Sequence, residues 1–190
     1  MQAETPEARL MRAAAFAAEV HTRQRRKGAA QEPYVNHVLE VAAALASARA
    51  PLPVVLAGLL HDTIEDGASA GRPVTEAELA ERFGADVAAI VAEVSDDKTL
   101  PKAERKRRQV EGAAGRSAAA KMVMLADKTA NLRAIALSPP PHWDTARKRD
   151  YLDWAESVAA GCRGVNPALE TGFDAAVALA RAAIEEQAID

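Results

Sequence analysis

Apolar side chains recur along most of the chain at three- and four-residue spacing, which is the pattern of helices that bury one face. The pattern predicts helices over residues 7–26, 35–49, 53–66, 75–83, 85–95, 102–114, 117–137, 144–162 and 167–187. Glycine and proline clusters separate these segments, as at 28–33 and 138–141. No stretch alternates apolar and polar residues over the length of a strand. We therefore predict an all-α fold in one domain, residues 1–190, with about eight to ten helices.

The composition favours a close-packed helical protein of a reducing compartment. Hydrophobic residues make up 49% of the chain but aromatic residues only 4%, and the abundant alanine favours helices. The net charge of −3 gives no general attraction to nucleic acid or to an anionic membrane. Cys162 has no second cysteine to pair with, and no apolar run reaches the roughly 18 residues of a membrane span. We expect a cytoplasmic protein with no membrane or nucleic-acid partner.

One segment, residues 54–66, differs from the rest of the chain. An apolar run, 54–60, leads directly into four ionisable side chains: His61, Asp62, Glu65 and Asp66. Such groups at the end of a buried helix carry a large desolvation cost, which a bound divalent cation offsets. From this segment alone, simple capping of a helix end by acidic residues stays an open alternative.

Two other predicted helices add matching side chains. His37 lies on the apolar side of its helix, and Asp127 interrupts an apolar segment. Together with His61 and Asp62 they supply two imidazoles and two carboxylates, a set that suits a first-row divalent ion with open positions for water. An ion of this kind lowers the pKa of water and neutralises charge on phosphoryl oxygen. Glu65 or Asp66, one helical turn further on, can then orient or deprotonate the water, or protonate a leaving group.

Positive charges near these residues indicate a phosphorylated ligand. Arg26 and Lys27 precede His37, while Lys98 and Lys102 flank a polar turn, and both residue types bind phosphate. The candidate aromatic walls are Tyr34, Trp143 and Tyr151. For the basic run 23–27 the alternative is a favourable interaction with a helix dipole. For most residues of the charged helix 102–114 we expect a solvated face.

Five blocks of the sequence form a recognisable series: residues 24–27, 33–37, 59–66, 96–102 and 125–133. In this order they resemble the hydrolase domain of RelA/SpoT proteins, a branch of the HD-domain metal-dependent phosphohydrolases. The likeness is greatest to small stand-alone alarmone hydrolases of the metazoan SpoT homologue type. It extends to Trp143 and to residues 151–155, and so covers almost the whole chain.

The resemblance implies an HD-domain helical bundle that binds one Mn²⁺ per chain and removes the 3′-pyrophosphate of ppGpp or pppGpp, ending the stringent response signal. It implies that His37, His61, Asp62 and Asp127 hold the metal and that Glu65 and Asp66 are the catalytic pair. It further implies that Arg26, Lys27 and Asn131 hold the nucleotide, and that Lys102, Arg147 and Tyr151 line its pocket. His21 matches no ligand position, and we expect it to be structural.

Several alternatives stay open. Thr129 and Ala130 stand where relatives carry a larger apolar residue and an aromatic one, so the base is not fixed, and an NADPH 2′-phosphatase or a (p)ppApp hydrolase would use the same site. A sensor that binds the alarmone without cleaving it would not need Glu65 and Asp66. A nucleic-acid-binding protein is supported only by the two basic stretches. We expect a monomer or a homodimer.

Overall fold

The computed structural model describes residues 4–187, and every regular element in this part of the chain is helical. The helices are α1 Pro6–Val20, α2 Val35–Ser47, α3 Leu52–Leu60, α4 Thr63–Ala70, α5 Glu76–Phe83, α6 Ala85–Val94, α7 Lys102–Gly112, α8 Ala118–Leu137, α9 Thr145–Cys162 and α10 Pro167–Glu186, with a 3₁₀ turn at Ala113–Gly115. The all-α prediction and the expected number of helices are confirmed. Within residues 4–187, no helix combines the length and the apolar character that crossing a membrane requires.

Polar caps and glycine fix several helix ends. The Thr5 hydroxyl accepts a hydrogen bond from the Ala8 N–H, and the Ser117 hydroxyl accepts one from Ala120. These bonds satisfy N–H groups that the first turn of a helix otherwise leaves without a partner. Gly71 ends α4 with φ of 88°, a left-handed conformation that glycine adopts without steric cost.

The centre of the molecule is formed by α2, α3 and α8. Helix α3 is buried over residues 54–60, and α8 buries more side chains than any other described helix. Helix α3 packs against α1, α2, α6 and α8, while α8 also packs against α2, α9 and α10. The elements that carry His37, His61 and Asp127 are therefore in direct contact with one another.

The first helix is shorter than predicted. Helix α1 ends at Val20 rather than near residue 26, and residues 21–34 form a loop closed by an antiparallel bridge between Arg25 and Pro33. In this loop the Arg26 N–H donates to Glu32 O at 2.8 Å, and the Tyr34 N–H donates to Gln24 O at 3.1 Å. The basic residues 23–27 thus lie outside any helix, and a favourable helix dipole does not explain them.

The predicted helix 53–66 is two helices. Helix α3 ends at Leu60 and α4 begins at Thr63, so His61 and Asp62 occupy the junction. The second helix continues past the predicted end at residue 66, so Gly67 lies inside α4. The helix is interrupted where the candidate ligands occur, a feature that the apolar pattern does not reveal.

Candidate functional site

Side chains from three separate segments converge at the α3–α4 junction. One ligand atom each from His37, His61 and Asp127 lies within 4.8 Å of the other two. Asp127 Oδ1 is 3.2 Å from His37 Nε2 and 3.7 Å from His61 Nε2. Asp62 Oδ2 faces the same two nitrogens, at 3.0 Å from His61 and 3.7 Å from His37. The four predicted metal ligands are therefore brought together.

The protonation of His61 fits a role as a metal ligand. Its Nδ1 lies 2.9 Å from the Gly58 carbonyl, and since a carbonyl only accepts, Nδ1 carries the hydrogen. Nε2 is buried and faces the carboxylates of Asp62 and Asp127. Although burial lowers it, these two carboxylates raise the pKa of the His61 imidazole well above its usual value. A divalent cation bound at this point would take the place of that proton. The residues present thus fit a divalent ion with nitrogen and oxygen ligands.

Neighbouring donors hold both carboxylates in place. The Tyr34 hydroxyl donates to Asp62 Oδ2 at 2.5 Å. The Asp127 carboxylate accepts hydrogen bonds from Asn131 Nδ2 at 2.6 Å and from Lys128 Nζ at 2.8 Å. Although burial opposes it, the Lys128 cation and the two imidazoles hold the pKa of Asp127 well below its usual range. The carboxylates of both aspartates are therefore ionised and are held facing the imidazoles.

The first turn of α4 carries Glu65 and Asp66 to the side of this cluster. Lys98 Nζ lies 3.0 Å from Glu65 Oε1 and 2.7 Å from Asp66 Oδ1, and the Asp96 N–H donates to Glu65 Oε2 at 3.1 Å. Burial and the charge of Asp62 raise the pKa of Glu65, although Lys98 opposes the shift. A raised carboxyl pKa favours exchange of a proton with a reacting group.

A cavity of about 650 Å³ opens beside the cluster and the acidic pair. Its volume lies in the range of small-molecule sites. Most of the predicted nucleotide-binding residues line it, namely Arg26, Lys27, Lys98, Lys102, Asn131 and Tyr151, together with His37, Asp62, Glu65 and Asp66. A smaller cavity of about 140 Å³ adjoins these groups and is lined by His61 and Asp127.

Arg147 is placed differently from the other predicted substrate residues. It is not part of the cavity lining, and its guanidinium lies over the Trp143 ring at 4.7 Å. Its charge nevertheless acts on a residue of the cavity lining. Burial lowers the pKa of Lys102 most, and the cations of Arg147 and Lys27 lower it further. None of these three cations forms an ion pair with a described residue. This crowding of like charges favours the binding of an anion.

Aromatic rings form one wall of the cavity. The Tyr151 ring centre lies 5.7 Å from that of Trp143 and 5.2 Å from that of Trp154. Lys106 Nζ lies over the Trp154 ring at 4.6 Å, a distance typical of cation–π contacts. Tyr34, by contrast, lies next to the metal-ligand cluster, where its hydroxyl donates a hydrogen bond to Asp62.

Sequence reasoning missed several cavity residues. Helix α7 was expected to present a solvated face; this is correct for Arg107 and Arg108, which are exposed, but wrong for Arg105, Lys106 and Gln109, which line the cavity. These three residues and Lys102 recur at three- and four-residue steps and so share one side of the helix, a signal that could have found them. Gln24 and Trp154, which also line the cavity, were not singled out either.

Comparison with known proteins places this arrangement in a family. The model of the HD domain matches residues 13–153. The chain belongs to the HD-domain family. HD domains are metal-dependent, and the cluster of His37, His61 and Asp127 can hold an ion.

Relatives of this HD-domain protein agree with the resemblance seen in the sequence. It is 46% identical over 167 residues to the guanosine-3′,5′-bis(diphosphate) 3′-pyrophosphohydrolase MESH1 of Xenopus tropicalis, which covers 87% of this chain and 90% of the relative. The MESH1 of Homo sapiens is 46% identical over 165 residues, with 86% and 89% covered. A solved structure described as a metazoan orthologue of SpoT that hydrolyses ppGpp matches with a TM-score of 0.83, 40% identity, and 92% and 96% coverage. The resemblance to small alarmone hydrolases is confirmed.

Proposed function

We propose that this protein is a guanosine-3′,5′-bis(diphosphate) 3′-pyrophosphohydrolase. In this reaction ppGpp and water give GDP and pyrophosphate, and pppGpp gives GTP. The observation that carries the proposal is that a metal-ligand cluster and an acidic pair adjoin a nucleotide-sized cavity that is also lined by Arg26, Lys27 and Lys102. MESH1 relatives that carry this activity in their names are 46% identical over most of the chain.

We propose Mn²⁺ as the ion, one per chain, held by His37, His61, Asp62 and Asp127. The mixed nitrogen and oxygen ligands and the absence of cysteine among them favour a catalytic ion over a structural zinc. When bound, such an ion supplies Lewis-acid stabilisation of phosphoryl oxygen and a lower pKa for water.

The acidic pair is proposed to manage the protons of hydrolysis. Water gives its oxygen to the pyrophosphate that leaves, and the 3′-oxygen of the ribose must end as a hydroxyl. Glu65 is suited to exchange a proton because burial and Asp62 raise its pKa. Asp66 is suited to orient the water. Lys98, which bridges both carboxylates, reduces their mutual repulsion and lies within reach of a phosphate.

The remaining residues are proposed to hold the nucleotide. Arg26, Lys27, Lys102 and Arg147 provide positive charge for the two pyrophosphate groups, and Tyr151 lies against the base or ribose. Asn131 is proposed to act between the metal ligands and the nucleotide, because it donates a hydrogen bond to Asp127 and also lines the cavity. The rings of Trp143, Tyr151 and Trp154 offer stacking surfaces that accept either purine.

We also infer that residues 1–190 form one domain, since helices α1 to α10 contribute to or pack against a shared cluster of buried side chains within the described chain. We propose a cytoplasmic protein, for which the single cysteine is the support, and a monomer or homodimer. Light scattering on purified protein would give the oligomeric state.

A nucleotide panel tests the proposed function. The purified chain, with Mn²⁺ or with EDTA, would be given ppGpp, pppGpp, ppApp and NADPH at equal concentration, and released pyrophosphate and phosphate would be measured. We expect Mn²⁺-dependent release of pyrophosphate from ppGpp, and reloading with Mg²⁺ or Zn²⁺ would test the choice of metal. Faster phosphate release from NADPH would replace the proposal by the 2′-phosphatase, and activity in EDTA would contradict the metal assignment.

A further inference from the structure

A chain of hydrogen bonds leads from the interior to the proposed catalytic pair. His21 Nδ1 lies 2.7 Å from Gln24 Oε1, and Gln24 Nε2 donates to Asp66 Oδ2 at 2.7 Å. Neither His21 nor Gln24 has a role in the mechanism described above. His21 is almost fully buried, so its partner cannot readily be replaced by water.

The polarity of this chain follows from its two ends. An ionised carboxylate only accepts hydrogen bonds, so the amide nitrogen of Gln24 must face Asp66. The amide oxygen then faces His21, and Nδ1 of the imidazole must carry the hydrogen. Hydrogen on Nδ1 therefore satisfies both contacts of the Gln24 amide.

The backbone around Gln24 is fixed as well. Its N–H donates to His21 O at 2.9 Å, and its carbonyl accepts the Tyr34 N–H at 3.1 Å. The His21 N–H donates to Ala17 O at 2.9 Å and so joins the segment to α1. Because both backbone groups are engaged, the Gln24 side chain reaches Asp66 from a rigid base.

We propose that Gln24 and His21 are positioning residues for the hydrolysis: His21 fixes the orientation of the Gln24 amide, and that amide holds the Asp66 carboxylate in its working orientation. Without the imidazole, the Gln24 amide can turn its oxygen toward Asp66, where two acceptors would repel each other. Asp66 would then be held by Lys98 alone, whose side chain is about half exposed. This inference rests on the proposed function, because it assigns Asp66 a part in that reaction.

Three variants test the proposal by kinetics. Gln24→Met keeps the side-chain volume but removes the donor, His21→Leu removes the group that orients the amide, and His21→Asn retains an N–H near the position of Nδ1. We expect Gln24→Met and His21→Leu to lower kcat for ppGpp about ten- to hundredfold, the range for loss of a group that orients a reactive residue, with KM and bound metal unchanged. His21→Asn should restore most of kcat.

The double variant His21→Leu with Gln24→Met sharpens the test. Since both residues act through one hydrogen bond to Asp66, its kcat should be no lower than that of the more impaired single variant. Multiplied losses, or an unchanged kcat in Gln24→Met, would overturn the proposal. Gln187→Met, the same replacement at the far end of α10, controls for the chemistry of the change, and thermal melting identifies any variant that fails to fold.

A second measurement does not depend on activity. The ¹⁵N chemical shifts of the His21 ring in the wild-type protein distinguish hydrogen on Nδ1 from hydrogen on Nε2. We expect the Nδ1–H form in the wild type and a mixture in Gln24→Met. Hydrogen on Nε2 in the wild type would refute the assigned polarity even if ppGpp is hydrolysed. The Nδ1–H form in a protein with no activity toward ppGpp would instead refute the proposed function and leave the hydrogen-bond chain standing.

Discussion

The four carboxylates of Asp62, Glu65, Asp66 and Asp127, the acidic end of the site, are each held by donors of the protein itself. The cations of Lys27, Lys102, Lys106 and Arg147, the basic end of the site, form no ion pair within residues 4–187. They are instead close to aromatic rings and to one another. The acidic end is therefore organised in advance, whereas the basic end gains most of its favourable contacts from a bound anion.

This contrast separates chemistry from affinity. Preorganised groups act on the transition state and change kcat, whereas cations that meet the substrate both before and during reaction mainly change KM. Damage to the acidic end should then appear in turnover or metal content, and damage to the basic end should appear in substrate affinity.

The largest effect is expected for Asp62→Ala. It removes one carboxylate from the cluster and the partner of the Tyr34 hydroxyl, so the chain should lose both metal and activity, with kcat/KM falling about a thousandfold or more. Metal content by plasma emission and pyrophosphate release from ppGpp would be measured together. Asp153→Ala, on the exposed side of α9, is the control, and full metal content in Asp62→Ala would break the assignment.

The next effect is expected for Glu65→Ala combined with Asp66→Ala. The metal cluster stays intact, so the metal should be retained while kcat falls about 10²- to 10⁴-fold, the usual contribution of acid–base groups. The comparison variant carries Glu76→Ala and Glu81→Ala on α5, where both side chains are exposed. Normal turnover in the first double variant would show that the acidic pair is not catalytic.

A smaller effect is expected at the basic end. Lys102→Ala with Lys106→Ala should raise KM for ppGpp about ten- to hundredfold, through loss of charge-assisted phosphate contacts, and leave kcat and bound metal nearly unchanged. Arg107→Ala with Arg108→Ala removes the same charge from the exposed side of α7 and should change KM little. If both pairs raise KM equally, general charge rather than the cavity governs binding.

The smallest effect concerns stability. Burial and neighbouring cations lower the pKa of Lys102 in the folded chain, so its charge destabilises the fold at neutral pH. Because the side chain is exposed and solvent screens its charge, Lys102→Met should raise Tm by no more than about 1 °C at pH 7. The folded chain releases this proton before the unfolded chain does, so the gain should shrink as pH rises through the lowered pKa and disappear above about 10.4. Melting curves at several pH values test the direction, and a constant gain would contradict it.

Much of the fold could be predicted because its signals are local. Proline and glycine mark most helix ends, and apolar periodicity identifies α2, α6 and α8 to within about two residues. The end of α1 was wrong because arginine, glutamine and lysine favour helices, whereas contacts from Gln24 to Asp66 and from Tyr34 to Asp62 require a loop there. Those contacts join residues distant in sequence, and no local pattern records them.

The candidate site likewise contains residues that the sequence predicts and residues that it does not. His37, His61, Asp62 and Asp127 could be found because ionisable groups in apolar segments are conspicuous. Arg105 and Lys106 were hidden within a run of like residues, where only their common helix side distinguishes them. The hydrogen bond from Gln24 to Asp66 could not be predicted from the sequence, since an uncharged side chain in a basic segment does not indicate its partner.

The separation of α3 from α4 has a consequence for how this segment can vary. In an unbroken helix, adjacent residues point about 100° apart, yet His61 Nε2 and Asp62 Oδ2 are 3.0 Å from each other. The interruption of the helix lets the side chains of two adjacent residues face each other. Inserting or deleting even one residue between Leu60 and Thr63 would turn one of the two side chains away, so this short junction should be far less tolerant of length changes than the surface loops.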